Sequence, residues 1–159
     1  MGFRCTFAQN QSLGNTLKTD SSRLNSDIAC IWFIIFRLSI TSLTISNSVT
    51  SIGFGAFYGN KITTLTIPDS VTSIKEYAFY HNQLTSLTIP NSVTSIGHSA
   101  FNDNQLPDSE AFIYKRTSSG IDNTTVVSYG GSKKEVIIPN NIKSIVGHAF
   151  EGNKITSIS

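Results

Sequence analysis

The sequence predicts a mainly β solenoid, a stack of coils of about 22 residues that each carry short parallel strands. Three observations predict it. A string reading L-T-x-L-T-I-P-x-S-V-T-S-I-G-x-x-A-F-x-x-N recurs in order at a fixed period. Within each copy apolar and hydroxyl residues alternate, the period-two signature of a half-buried strand. Hydrophobic residues make up 39% of the chain and charged ones only 14%, with many β-branched side chains that disfavour helix.

The register follows from spacing. Leu43, Leu65 and Leu87 stand 22 residues apart, as do Ile52, Ile74 and Ile96, Phe57, Phe79 and Phe101, and Asn60, Asn82 and Asn104. These define three contiguous repeats over residues 40–105. Each unit is too small to bury its own apolar face and must stack on its neighbours. Leu43 and Ile45 alternate with Ser42 and Thr44, giving one strand per coil. Pro68, Pro90 and Pro139 end that strand because proline donates no ladder hydrogen bond, and Ser46 holds the place in the first copy. The V-T-S-I stretch is a second short extended segment, and Ala-Phe marks a tight corner. The recurring asparagine is expected to bond backbone groups there and to form a ladder.

A fourth copy, Val136 to Asn153, lies 49 residues after the third, so 27 residues more than one period intervene. Within residues 106–132, Ala111–Arg116 and Thr124–Tyr129 read as strands, and Thr117–Asn123 links them with turn chemistry. The expectation is an inserted β-hairpin. Residues 133–159 then hold the fourth repeat and the opening of a fifth, Ile155–Ser159.

Residues 1–39 fit the pattern least and are expected to be an atypical segment, either poorly ordered or a makeshift cap. The apolar run Ile28–Phe36 is short of the roughly twenty residues a membrane span needs. Asp20 and Asp27 precede it and no A-x-A pattern follows, so it makes no convincing signal peptide. The run suits a cap on the open cross-section of the first coil. Cys5 and Cys30 are one pair, too few for a disulfide framework and silent on redox compartment.

The strings Ile62–Gln83 and Leu84–Gln105 resemble the BspA-like leucine-rich repeats of bacterial and some protist surface proteins. The resemblance covers residues 40–105 and 133–159. It implies a leucine-rich-repeat solenoid at the cell surface or secreted, acting in adhesion or protein interaction.

No catalytic constellation, cofactor motif or metal-ligand set emerges. Serines lie outside any G-x-S-x-G elbow, no phosphate loop is present, and Gly53-Phe54-Gly55 lacks the third glycine of a dinucleotide fingerprint. His81, His98 and His148 fall at positions that vary between copies, as solvated loop positions do. The chain is therefore read as a non-enzyme. A net charge of +2 with scattered basic residues gives no nucleic-acid footprint. Lys115, Arg116, Lys133 and Lys134 flank the hairpin, either as a patch for an acidic partner or, the stronger reading, as charge that protects a solvated edge from pairing.

The candidate binding face is Ser42, Thr44, Thr64, Thr66, Ser86 and Thr88, two outward columns of hydroxyls. Phe54, Tyr58, Tyr77 and Tyr80 are candidate aromatic anchors at the corners. The expected partner is an unidentified protein or surface ligand. Two alternatives stand beside it. The odd N-terminus and mid-repeat stop suggest a truncated fragment of a larger surface repeat protein, from a frameshift upstream of Ser39 or a false start. More remotely, the hydroxyl rows suggest ice binding. The unfinished fifth copy is an exposed edge open to end-to-end self-association.

Overall fold

A computed structural model describes residues 16–18, 27–28 and 39–159. The Cys5–Cys30 pair and the capping run, beyond the backbone of Ile28, lie outside the described residues. Strands β1 (Thr16–Lys18) and β2 (Asp27–Ile28) precede the repeats. The three contiguous repeats then contribute two strands each: β3 (Ser42–Thr44) and β4 (Ser51–Ile52), β5 (Thr64–Thr66) and β6 (Ser73–Ile74), β7 (Ser86–Thr88) and β8 (Ser95–Ile96).

Two columns of parallel strands result. In one, β1 pairs with β3, and β5 pairs with β7 with Leu65 opposite Leu87. In the other, β2, β4, β6 and β8 form a four-stranded sheet with Ile28, Ile52, Ile74 and Ile96 in register. A β-turn joins the columns in each repeat, closed by Val49 N–H to the Ser46 carbonyl, Val71 to Pro68 and Val93 to Pro90. Serine thus replaces proline at position 46 without loss of the turn.

The corners stack too. The Phe57, Phe79 and Phe101 rings are fully buried and lie face to face, with centroids 5.2 and 5.4 Å apart. The expected asparagine ladder is present. The Oδ1 atoms of Asn60, Asn82 and Asn104 accept from the amides of Ile40, Ile62 and Leu84, closing each coil. The Nδ2 atoms of Asn82 and Asn104 each donate to the phenylalanine carbonyl of their own coil and of the coil before. Buried backbone groups must be paired somewhere, and one side chain per coil does it here.

Each corner holds two left-handed residues. One set is Gly55, Tyr77, Ser99 and His148, with φ of 58, 57, 56 and 68°. The other is Gly59, His81, Asp103 and Gly152, with φ of 70, 56, 53 and 73°. These positions vary in sequence but are fixed in backbone, and Ser99 is fully buried. The reading of them as freely solvated loop positions holds for exposed His148 but not for Ser99.

The hairpin differs in detail from expectation. Ala111 ends a single helical turn, α1 (Asp108–Ala111), rather than starting a strand. Strand β9 (Phe112–Thr117) and strand β10 (Gly120–Tyr129) are joined by only Ser118 and Ser119, with Gly120 at φ 118°. The extra residues expected in the turn enter β10 as register irregularities between Asp122 and Val126.

The hairpin is a layer of the stack and not a protrusion from it. On one side Ser99 N–H donates to the Val127 carbonyl and Phe101 N–H to Ser128 Oγ. On the other, the amides of Lys143, Val146 and Tyr129 bond to Thr124, Val126 and Ala149. Ser128-Tyr129 takes the place of an Ala-Phe corner, and the Gly130 carbonyl accepts from Leu106 N–H where an asparagine would. Beyond it, β11 (Glu135–Val136), β12 (Ser144–Ile145) and β13 (Ser157–Ile158) build the fourth repeat and open the fifth. β12 pairs with β10, and β13 with β11.

Candidate functional site

Alternation along β3, β5 and β7 places the candidate face. Leu43 and Leu65 point inward and are buried, Leu87 is half-buried, and Ser42, Thr44, Thr64, Thr66, Ser86 and Thr88 are all exposed. Thr64 stands opposite Ser86 and Thr66 opposite Thr88. Strand β3 lies alongside β5, so the six hydroxyls form two columns of three. An open concavity beside the columns is lined by Thr44, Thr66, Thr88, Asn47, Asp69 and Pro90 among others.

The face ends at the hairpin. The Glu110 carboxylate accepts from Leu87 N–H, and the Arg116 guanidinium donates to the carbonyls of Ile89 and Pro90 at 3.2 and 2.7 Å. Desolvation lowers the Arg116 pKa, the expected direction for a charge held against backbone. In the fourth repeat Glu135 and Ile137 occupy the positions of Ser86 and Thr88, and Ile137 is 77% exposed.

Three of the four basic residues around the hairpin face an acidic or backbone group. Arg116 is bonded as described, Lys133 pairs with Asp108, and Lys115 stands opposite Asp122 across the hairpin.

The aromatic corners also have internal work. Tyr58 and Tyr80 stack at 5.1 Å, and Tyr77 touches Phe54, Tyr80 and His98 edge-on. The Tyr77 hydroxyl donates to Glu151 at 2.7 Å, and that bond raises its pKa. Tyr80 reaches the backbone of Gly152. Two tyrosines of the second repeat thus act as struts to the fourth.

Asn102 makes the same connection from within and was not legible as functional or structural. It sits in the column of Tyr58 and Tyr80, yet it is fully buried. Its Oδ1 accepts from Ser128 Oγ and Tyr129 N–H, and its Nδ2 donates to the carbonyls of His148 and Glu151. Only the loss of an aromatic at that column position signalled it.

A second open groove is polar. It runs beside the asparagine ladder and is lined by His81, Asp103, Gln83, Gln105, Ser132 and Lys154 among others. His81 Nδ1 bonds to Asp103. Ser132 shares the groove, but the coil of Asp103 separates its layer from that of His81. Two layers span about 10 Å at the ladder spacing. A nucleophile needs hydrogen-bond reach of its base, so the three residues make no triad. Among the described residues no cluster of His, Cys, Asp and Glu is arranged to hold a metal, and no helix is long and apolar enough to cross a membrane.

The comparison with protein families agrees with the repeat reading. The BspA type Leucine rich repeat region matches residues 32–156 in six copies, a span that includes the hairpin. No curated protein matches the chain. Among solved structures, the chain is similar to a leucine rich cell surface protein from Faecalibacterium prausnitzii A2-165, at 23% identity and a TM-score of 0.49. The similarity covers 75% of this chain and 45% of that one, so the chain spans less than half of that protein's length. With the family span covering most of the sequence, and its repeats stacked as parallel coils, the chain belongs to the BspA-type leucine-rich-repeat family.

Proposed function

We propose that this chain is a non-catalytic binding module of the cell surface or secreted space, and that its hydroxyl face contacts a protein or surface ligand. The observation that supports it is the pair of hydroxyl columns: six exposed Ser and Thr side chains in register over a row of inward leucines. Such a face offers donors and acceptors at a regular rise of about 4.8 Å with little side-chain entropy to lose. Glu110 and Arg116 close it at one end and would add charge selectivity at that rim. The family supports interaction as the general role of the repeats.

Capture from a surface-protein extract by the immobilised chain tests the reading, with a Ser86→Lys/Thr88→Lys variant alongside. The variant places two cations in the columns and should lose the captured partner while keeping its circular dichroism. Equal capture by both chains would show that the contact lies elsewhere. Thermal hysteresis of the chain tests the ice-binding alternative in the same preparation.

A further inference from the structure

The polar groove beside the asparagine ladder shares no lining residue with the concavity at the hydroxyl columns. Its volume is about 360 Å³, within the range of small-ligand sites, about 300–1,000 Å³. Six of its eleven lining residues are Asn or Gln, and none is aliphatic. The Oδ1 atoms of Asn60, Asn82 and Asn104 are already taken by the ladder. Gln83 and Gln105 are different. Both are exposed on consecutive coils, and among the described residues neither side-chain amide has a hydrogen-bond partner. Asn153 is different again. Its Nδ2 donates to the Gly131 carbonyl, while its Oδ1 is buried without a donor. In the three earlier rungs that oxygen takes the amide twenty residues before it, so the partner it lacks belongs to its own coil. A buried acceptor left unpaired is costly and favours whatever brings it a donor.

We propose that this groove binds a neutral oligosaccharide, with Gln83 and Gln105 as its principal contacts. The chemistry selects the class. A carboxamide holds donors and an acceptor side by side, and a sugar hydroxyl answers with both. The two glutamines repeat that pair about 4.8 Å apart along the stack, which suits a chain of rings with hydroxyls on every ring. Asp103, held by His81, adds an acceptor at the wall. Asn153 Oδ1 takes a hydroxyl proton at the far end after a small shift of the rim. Two other classes fit less well. Phosphate or sulfate groups call for clustered cations, whereas Lys154 is the one Lys or Arg in the lining and Asp103 offsets it. A peptide anchored by apolar side chains needs an apolar pocket, and this lining offers none.

Titration of the isotope-labelled chain with maltotriose, cellotriose, mannotriose and triacetylchitotriose tests this, read from the side-chain amide signals in NMR. The signals of Gln83, Gln105 and Asn153 are expected to shift saturably with at least one of these sugars at millimolar concentration. Gln83→Ala/Gln105→Ala, at two exposed positions, should weaken that binding about tenfold. Ser86→Lys/Thr88→Lys should bind the sugar as the unaltered chain does, which separates this site from the hydroxyl face. Sialyllactose and a Gly-Ser peptide serve as the charged and peptide probes. Three results would overturn the proposal: no saturable shift with any neutral sugar, equal affinity in the folded alanine variant, or a stronger response of the same signals to either of the other probes.

Discussion

The three contiguous repeats and the region beyond them are written in nearly the same residues but are not equally buried. In one column Ile52, Ile74 and Ile96 are 0%, 1% and 9% exposed, while Ile145 is 45% exposed. The apolar core divides at the same place. One cluster gathers the first three repeats with Ile113 and Val127, and a second, smaller one centres on Ala111, Tyr129 and Val136. The sequence motif decides where a side chain points within its coil. The neighbouring coil decides whether it is buried, so stability in this molecule resides in the interfaces between layers.

The largest expected effect tests that division directly. Phe79 is fully buried between the rings of Phe57 and Phe101, whereas Phe150 is half-buried near the end of the stack. Phe79→Ala should cost about 3–5 kcal/mol. Phe150→Ala should cost less than half as much, because its site is already partly wet and can collapse. Urea unfolding followed by circular dichroism measures both, and equal losses would mean that the two regions are energetically alike.

A somewhat smaller effect is expected at the junction. Asn102→Ala takes the acceptor from the Ser128 hydroxyl and a donor from the Glu151 carbonyl, while the Tyr129 amide keeps Ala149 and the His148 carbonyl keeps Ser99 and Glu151. The expected cost is about 1–3 kcal/mol, carried mainly by the buried Ser128 hydroxyl, whose proton loses its acceptor without regaining water. Amide exchange should quicken over residues 135–158 and stay unchanged over residues 62–96. Uniform quickening would show that the two regions unfold as one unit.

Much of this was legible from spacing. The strands, the turn after Ile45, Ile67 and Ile89, the phenylalanine column and the asparagine ladder follow from identical residues 22 positions apart. Non-local pairing was not legible. The hairpin could be read as two strand-like runs, but nothing local showed that Ser128-Tyr129 replaces an Ala-Phe corner. That substitution exists only in the bonds from Phe101 N–H to Ser128 Oγ and from Tyr129 N–H to the Ala149 carbonyl. Backbone φ was equally hidden. Tyr77, Ser99 and His148 share the left-handed conformation of Gly55, and no residue preference common to the four announces it. The hydroxyl columns were legible in position, while their termination by Glu110 and Arg116 required the hairpin's path.

Gly152 sharpens the comparison at the scale of one methyl group. It shares its left-handed position with His81 and Asp103, which carry side chains there. A Cβ at Gly152 would overlap the Tyr80 hydroxyl, which it meets because the second and fourth corners are bridged. Gly152→Ala should therefore cost about 1–2 kcal/mol for the backbone conformation, plus the clash. In a Tyr80→Phe background the clash part should shrink without vanishing, because the ring Cζ would still lie 2.7 Å from that Cβ. If Tyr80→Phe gives no relief, the strut does not rest on Gly152.

The smallest expected effect separates the hairpin from the coils by pH. Asp122 accepts from the Thr124 amide at 3.0 Å and from the Thr124 hydroxyl at 2.7 Å. These bonds, the Thr124 hydroxyl first, hold its pKa below the ordinary carboxylate value. A group with a depressed folded pKa stabilises the fold above its unfolded pKa, and that contribution is lost as pH falls through the folded value. Acid should therefore loosen the hairpin before it touches the three repeats, whose cohesion rests on apolar columns and neutral asparagines. Asp122→Asn should lower stability slightly near neutral pH and hardly at all below the carboxylate range. The carboxylate is solvent-exposed, so the difference is small, and hydrogen exchange at Thr124 reads it better than global unfolding. A pH-independent difference between the two chains would assign the role of Asp122 to turn geometry rather than to its charge.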